Sequence, residues 1–300
     1  MVLFRRNSPF PYPIKVFTLS IKPYNRTELY ENMQPNHTLK AKIWTLLMFI
    51  SIGTALAQEL PKTLEWTIKG QIRKALVYIP ASAKTKPTPI IFAFHGHGGT
   101  MLNMFRTRGF EKLWPEAIFI CPQGLNTVGI LTDPEGKKSG WVMSNQTNDN
   151  RDLQFFDAML KTLRTDYNIN NSRIYATGHS NGGGFTYLLW TTRANEFAAF
   201  APTATAGGKL IPLLNTPKPG FHLMGEADPL VKPNWQKITY NKILRINGCT
   251  QEGSKLDSNI TAYTGKNGND FELFIHSGGH EYPKNANQPI IDFFKKYTKK

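Results

Sequence analysis

"RIYATGHSNGGGFTYLLW", residues 173–190, passes from a short apolar run, through a serine set among glycines, into a second apolar run of different period. Arg173 to Thr177 reads as a strand, because β-branched and aromatic side chains suit a pleated, buried surface. The residues after Ser180 read as a helix, so Ser180 stands at a strand-to-helix turn between Gly178 and Gly182. A serine held in such a turn needs neighbours without side chains. Its hydroxyl then points out at a helix N-terminus, where the dipole favours developing negative charge. Taken alone, G-x-S-x-G is a weak pattern, since glycine makes up 24 of the 300 residues. The rest of the chain decides whether Ser180 is a nucleophile or part of a glycine-rich turn.

Working outward, "PIIFAFHG" (89–96), "AIFICPQG" (117–124), "FAAFAPTA" (197–204) and "GFHLMGEAD" (220–228) are further apolar runs ending in Gly, Pro or polar residues. Continuous apolar strands imply burial on both faces, as in a mainly parallel sheet covered by helices. Helical segments alternate with them. "RDLQFFDAMLKTLRTDY" from Arg151 places Leu153, Phe156, Met159, Leu160 and Leu163 on one face, with Asp149 or Asn150 as N-cap. Others follow Ser180, run from about Asn234 to Ile246, and close the chain at "QPIIDFFKKYTKK". Two alternating stretches around Lys69-Gly70 predict an N-terminal antiparallel hairpin. The fold class is therefore α/β, a mainly parallel central sheet with helices on both faces and that hairpin at its start.

In such sheets ligand groups gather in loops at the carboxyl ends of strands. Serine is a poor nucleophile at neutral pH, so a base must take its proton and a carboxylate must orient that base. His280, in "IHSGGHEYP", lies on a glycine loop just past the last strand-like run; His276 falls inside that run and His222 inside a buried one. Asp228, in "GEADPLV", follows a buried strand and opens a loop, with Glu226 as the alternative acid. Ser180, Asp228 and His280 thus occur in the order Ser…Asp…His, each after a separate strand, which is the order of the α/β-hydrolase fold. The oxyanion needs two backbone N–H donors, assigned to Asn181, directly after the serine, and to His97 in "FHGHGGT". The backbone N–H of Asn181 is expected to carry half of the oxyanion hole and its side chain to matter little. His95 and His97 form a His-x-His pair, but no Cys or carboxylate cluster beside them completes a metal set, and no cofactor is implied.

The combination "FHGHGGT", "CPQG", "SGW", "RDLQFFDAML", "RIYATGHSNGGG", "GEADPLV" and "GGHEYP" resembles the secreted feruloyl esterase and polyhydroxybutyrate depolymerase family of α/β-hydrolases, close to carbohydrate esterase family 1. The likeness runs from about residue 62 to 298 with the order of blocks kept. It implies a serine carboxylic-ester hydrolase with Ser180, Asp228 and His280 as triad, acting on polysaccharide-linked acyl esters or on polyesters. It also implies that the loop holding Trp141 faces the active site, so Trp141 is expected to form an aromatic wall for substrate, with a structural tryptophan as the other reading. Two features depart from the family pattern: His97 stands where cysteine is common, and the Asn-Gly-Cys block at Cys249 has no cysteine near it. Within the family the expected substrates are feruloyl or related esters of plant polysaccharide, with polyester depolymerisation as the alternative. A catalytically silent carbohydrate-binding homologue is the reading from another class.

Composition fits an exported enzyme. Lys40 and Lys42 precede an apolar run from Ile43 that closes on Ala55-Leu56-Ala57, the layout of a signal peptide over residues 33–57. A membrane span needs a longer run without Ser51, Gly53 and Thr54, so no stable anchor is expected after cleavage. Residues 1–32 show no helical or strand period and read as an upstream extension before a start at Met33; residues 58–300 read as one catalytic domain. The net charge of +15 comes from scattered Lys and Arg with no basic-aromatic pattern for nucleic acid. Export permits a disulfide between the two cysteines, Cys121 and Cys249, and Cys121 also suits a buried thiol.

Overall fold

The computed structural model describes residues 59–144 and 150–299. The segments read as extension (1–32) and signal peptide (33–57) lie outside the described residues, as does Asp149. In chain order the strands are β1 Lys62–Ile68, β2 Gln71–Tyr78, β3 Thr88–Phe94, β4 Ile118–Pro122, β5 Leu125–Asn126, β6 Ser139–Gly140, β7 Ile169–His179, β8 Ala199–Thr203, β9 Gly220–Gly225, β10 Ser254–Lys255, β11 Ile260–Tyr263 and β12 Phe271–His276. The helices are α1 Met101–Arg108, α2 Phe110–Leu113, α3 Arg151–Asp166, α4 Asn181–Arg193, α5 Pro233–Ile246 and α6 Asn287–Lys296.

One sheet is ordered β1-β2-β4-β3-β7-β8-β9-β12-β11-β10, and β5 with β6 forms a separate ribbon. From β4 to β12 the pairing is parallel, because each crossover carries helix or loop. The predicted hairpin is present: β1 pairs antiparallel with β2 across Lys69 (φ 49°) and Gly70 (φ 77°), the left-handed pair that a two-residue turn needs. Antiparallel strands close the other end as well.

Side chains alternate across the pleat and feed two cores. Ile90, Phe92 and Phe94 of β3 pack with Leu153 and Phe156 of α3 and Phe185 of α4, while Ile91 and Ala93 pack with Phe105 of α1, Phe110 of α2 and Ile290 of α6. Burial on both faces explains the unbroken apolar runs. Asn150 is the cap of α3, its side chain accepting from the Asp152 and Leu153 amides at 3.0 and 3.1 Å. One buried ion pair ties the hairpin to α3: Arg73 of β2 donates to Asp152 at 2.7 Å and stacks on Phe155. The other Asp152 oxygen accepts from the Val142 amide at 2.8 Å, so the same carboxylate fixes the loop next to the site. Cys121 and Cys249 are both free thiols, and burial raises the affinity of each for its proton.

Candidate active site

Three strand ends meet at the carboxyl edge of the sheet. Ser180, after β7, adopts φ 55°, ψ −118°, a strained conformation for a residue with a side chain. The glycines around it make that turn possible: a Cβ on Gly178 would collide with the Gly182 carbonyl, and one on Gly182 with the Phe94 carbonyl. The Ser180 amide donates to Thr203 of β8 at 2.9 Å, which holds the turn to the neighbouring strand. Its hydroxyl donates to His280 Nε2 at 2.8 Å, and His280 Nδ1 donates to Asp228 Oδ2 at 2.8 Å. This network fixes the tautomer, with the proton on Nδ1 and a lone pair facing the serine.

Asp228 is fully buried and well supplied with donors. Its Oδ1 accepts from the Leu230 and Val231 amides, each at 2.9 Å, and its Oδ2 also accepts from Gln236 Nε2 at 3.2 Å. Gln236, on α5, donates in addition to the Val231 carbonyl and accepts from His222 Nε2 at 3.1 Å. Behind it, the Tyr187 hydroxyl donates to His222 Nδ1 at 2.9 Å. Burial holds His222 down to about 4. The neutral ring is what lets one nitrogen donate and the other accept.

The competing residues fall elsewhere. Glu226 is exposed; His276 ends β12, where its Nδ1 accepts from the Gly278 amide and lies 3.9 Å from Glu281. His95 is buried and spends its ring on the Gly96 carbonyl and the Gly124 amide. His97 turns its ring to Asp133 at 3.0 Å, and the hydrogen bond from that ring keeps the Asp133 carboxyl below its ordinary range. In the loop carrying His97, the Gly98 and Gly99 amides are taken by Ser139 and Gly96, which leaves the His97 amide for another acceptor. Asn181 opens α4, and the first N–H groups of a helix have no acceptor within it. The loop approaches closely, since a Cβ on Gly96 would lie 3.6 Å from the Ser180 Cβ.

Trp141 and Asn181 are joined by hydrogen bonds. Trp141 is 1% exposed, packed on Phe94 and Phe185, with its indole N–H donated to the His95 carbonyl at 2.8 Å. That bond supports the loop before His97, and the little of Trp141 left uncovered borders the larger cavity described below. The Asn181 side chain also has work beyond its amide: it accepts from the Trp141 amide at 2.7 Å and donates to the Trp141 carbonyl at 3.1 Å. The exposed aromatic at the site is Trp235, 43% exposed on the first turn of α5. It lines a cavity of about 260 Å³ together with Ser180, Asn181, His97, Ile130 and Leu131. A larger cavity of about 890 Å³ shares Ile130 and Met143 with it and reaches Arg151 and Lys209. Trp235 escaped notice because only its position, seven residues past Asp228 at a helix start, marks it.

A buried acid, an imidazole and a serine in hydrogen-bonded line, beside free amides and an apolar cleft, can perform acyl transfer. The comparisons bear on this directly. No protein-family model matches the chain. A probable feruloyl esterase C of Aspergillus flavus is 30% identical over 213 residues, covering 68% of this chain and 67% of that protein. The chain belongs to the feruloyl esterase family. A feruloyl esterase D of Neurospora crassa is 26% identical over 234 residues, covering 73% of this chain and 77% of its own. As a member of the feruloyl esterase family the protein is a serine carboxylic-ester hydrolase. Its fold is that of an acetyl xylan esterase from Aspergillus awamori (TM-score 0.61, 14% identity, 78% of this chain and 99% of that one). A ferulic acid esterase agrees as well (TM-score 0.59, 13% identity, 79% and 98%). These are α/β-hydrolases.

Proposed function

We propose that Ser180, His280 and Asp228 are the catalytic triad of an exported esterase that releases feruloyl or related acyl groups from plant polysaccharide. The observation that carries the reading is the pair of 2.8 Å hydrogen bonds linking Ser180 to His280 and His280 to Asp228 beside an apolar cleft. Ser180 Oγ attacks the ester carbonyl as its proton passes to His280 Nε2. The Asn181 and His97 amides receive the oxyanion, and Asp228 stabilises the imidazolium. Collapse expels the alcohol, which takes the proton from Nε2, and leaves an acyl-enzyme. Water, deprotonated by the same nitrogen, then releases the acid and restores Ser180. The aromatic acyl group stacks on Trp235.

Ser180→Ala is expected to remove ester turnover by at least roughly 10³-fold, while Ser254→Ala, on an exposed edge strand, leaves it unchanged. Full turnover in Ser180→Ala would refute the mechanism. Rates on methyl ferulate, acetylated xylan and a hydroxybutyrate oligomer test the substrate: methyl ferulate is expected to lead, and a lead by the oligomer would make the protein a polyester depolymerase. No helix among the described residues is long and apolar enough to cross a membrane. Cleavage after Ala57 is expected, so N-terminal sequencing of secreted protein should read Gln58, and an intact residue 1 would overturn export by that signal.

A further inference from the structure

A third cavity, of about 490 Å³, borders the loop that carries His97; its walls include Gly96, Arg106, Arg108, His179, Tyr282 and Lys284. Arg108, at the end of α1, is 5% exposed, and no carboxylate among the described residues pairs with it. Its guanidinium lies 3.3 Å from the centroid of the Tyr282 ring and makes one long hydrogen bond, 3.5 Å to the Thr107 hydroxyl. The Nε atom is buried with no partner. Arginine is rarely buried without a counter-charge, because desolvating a lone cation is costly. Stacking on a ring compensates part of that cost and leaves the N–H edge of the guanidinium free for an anion. Two more cations, Arg106 and Lys284, are exposed on the rim, and no lining residue is acidic.

The cavity is also close to the reacting centre. Gly96 stands between it and Ser180, as the 3.6 Å approach to the Ser180 Cβ shows. The His179 ring, directly before Ser180 in the chain, lies 5.3 Å from the His280 ring, and Tyr282 and Lys284 continue the loop of His280. Burial, with Arg108 as the next cause, pushes His179 down to about 3, so this ring stays neutral and does not compete with the cations for an anion.

We propose that this cavity is an anionic subsite that takes the carboxylate of a uronic-acid sugar on the alcohol side of the scissile ester, with Arg108 as buried counter-charge and Arg106 and Lys284 at the rim. A planar carboxylate matches the fork of a guanidinium, and Asn103 on the same wall suits sugar hydroxyls. The inference rests on the reading of Ser180 as nucleophile of a saccharide esterase.

The test compares kcat/KM of the secreted chain on two feruloylated xylo-oligosaccharides of equal length, one with and one without a glucuronosyl group, using methyl ferulate as reference. The expected result is a roughly tenfold preference for the charged oligosaccharide, falling below about threefold in Arg106→Gln/Lys284→Gln and at about 0.5 M NaCl. Lys84→Gln/Lys86→Gln, exposed at the opposite edge of the sheet, removes the same net charge and is expected to keep the preference. Equal rates on the two oligosaccharides, a preference that survives in the rim variant, or its loss in the control would overturn the subsite. Methyl ferulate turnover in the wild type separates any such failure from failure of the Ser180 reading.

Discussion

Gln236 illustrates how much of a hydrolase site lies behind the reacting atoms. Its amide is shared between Asp228, the Val231 carbonyl and His222, so it sets where the buried carboxylate points. A carboxylate that can swing no longer fixes the imidazole, and misplacement by a fraction of an ångström is felt in the chemical step more than in binding. Gln236→Leu is expected to lower kcat about tenfold with KM changed less than about twofold. It should also destabilise the fold by about 1–3 kcal/mol, because the His222 N–H is left unpaired. Steady-state kinetics on methyl ferulate and a denaturant titration check both parts. A KM effect without a kcat effect would place Gln236 outside the positioning of Asp228. Nothing in the sequence announces this residue: its partners stand eight and fourteen positions away, and only the packing of α5 against β9 brings them together.

At the scale of elements, what was legible depended on periodicity. The strands β3, β4, β7, β8 and β9 show as unbroken apolar runs because both faces are buried, and α3 shows as a stripe because only one face is. The sequence did not mark α1: "MLNMFRTR" is half polar and short, and it is defined by ends that periodicity does not score, the Thr100 cap and Gly109 at φ 55°. The β5–β6 ribbon and the short strands β10 and β11 are likewise held by pairing across loops. Trp141 stood between two readings for a related reason. A polar neighbourhood left exposure open, while the ring packs on Phe94 and Phe185 and its backbone is pinned by the Asn181 side chain, forty residues away. The Lys69-Gly70 turn, by contrast, was plain, and it offers a clean test. Gly70 has φ 77° and open space where a Cβ would go, so Gly70→Ala adds conformational strain without a clash. The expected cost is about 1–2 kcal/mol, seen as a fall in Tm of about 2–4 °C per kcal/mol, with kcat unchanged. A variant as stable as the parent would mean that the hairpin turn is free to rearrange.

Across the whole molecule, the parallel sheet gathers its polar loops at one edge, and the price of that arrangement is a set of histidines held neutral behind the active site. Burial is the main cause for both His222, at about 4, and His179, at about 3, each below the ordinary 6.5. In the unfolded chain both take up a proton near pH 6.5, whereas in the folded protein they resist until the pH is far lower. Between those values the unfolded state binds more protons, so stability rises with pH, is fully present above about 6.5, and drains away as pH falls toward 4. For fully buried His222 the shift corresponds to a loss on the order of 3 kcal/mol on acidification below its folded value. Urea midpoints measured from pH 7.5 to 4 are therefore expected to fall steadily through this window. His222→Phe should be less stable than the wild type at pH 7.5, since Tyr187 and Gln236 each lose a partner, yet its midpoint should depend less steeply on pH because one of the two titrating rings is gone. An unchanged slope in His222→Phe would show that this buried ring is not what couples folding to protons, and the acid sensitivity would then have to come from His179 or from the carboxylates.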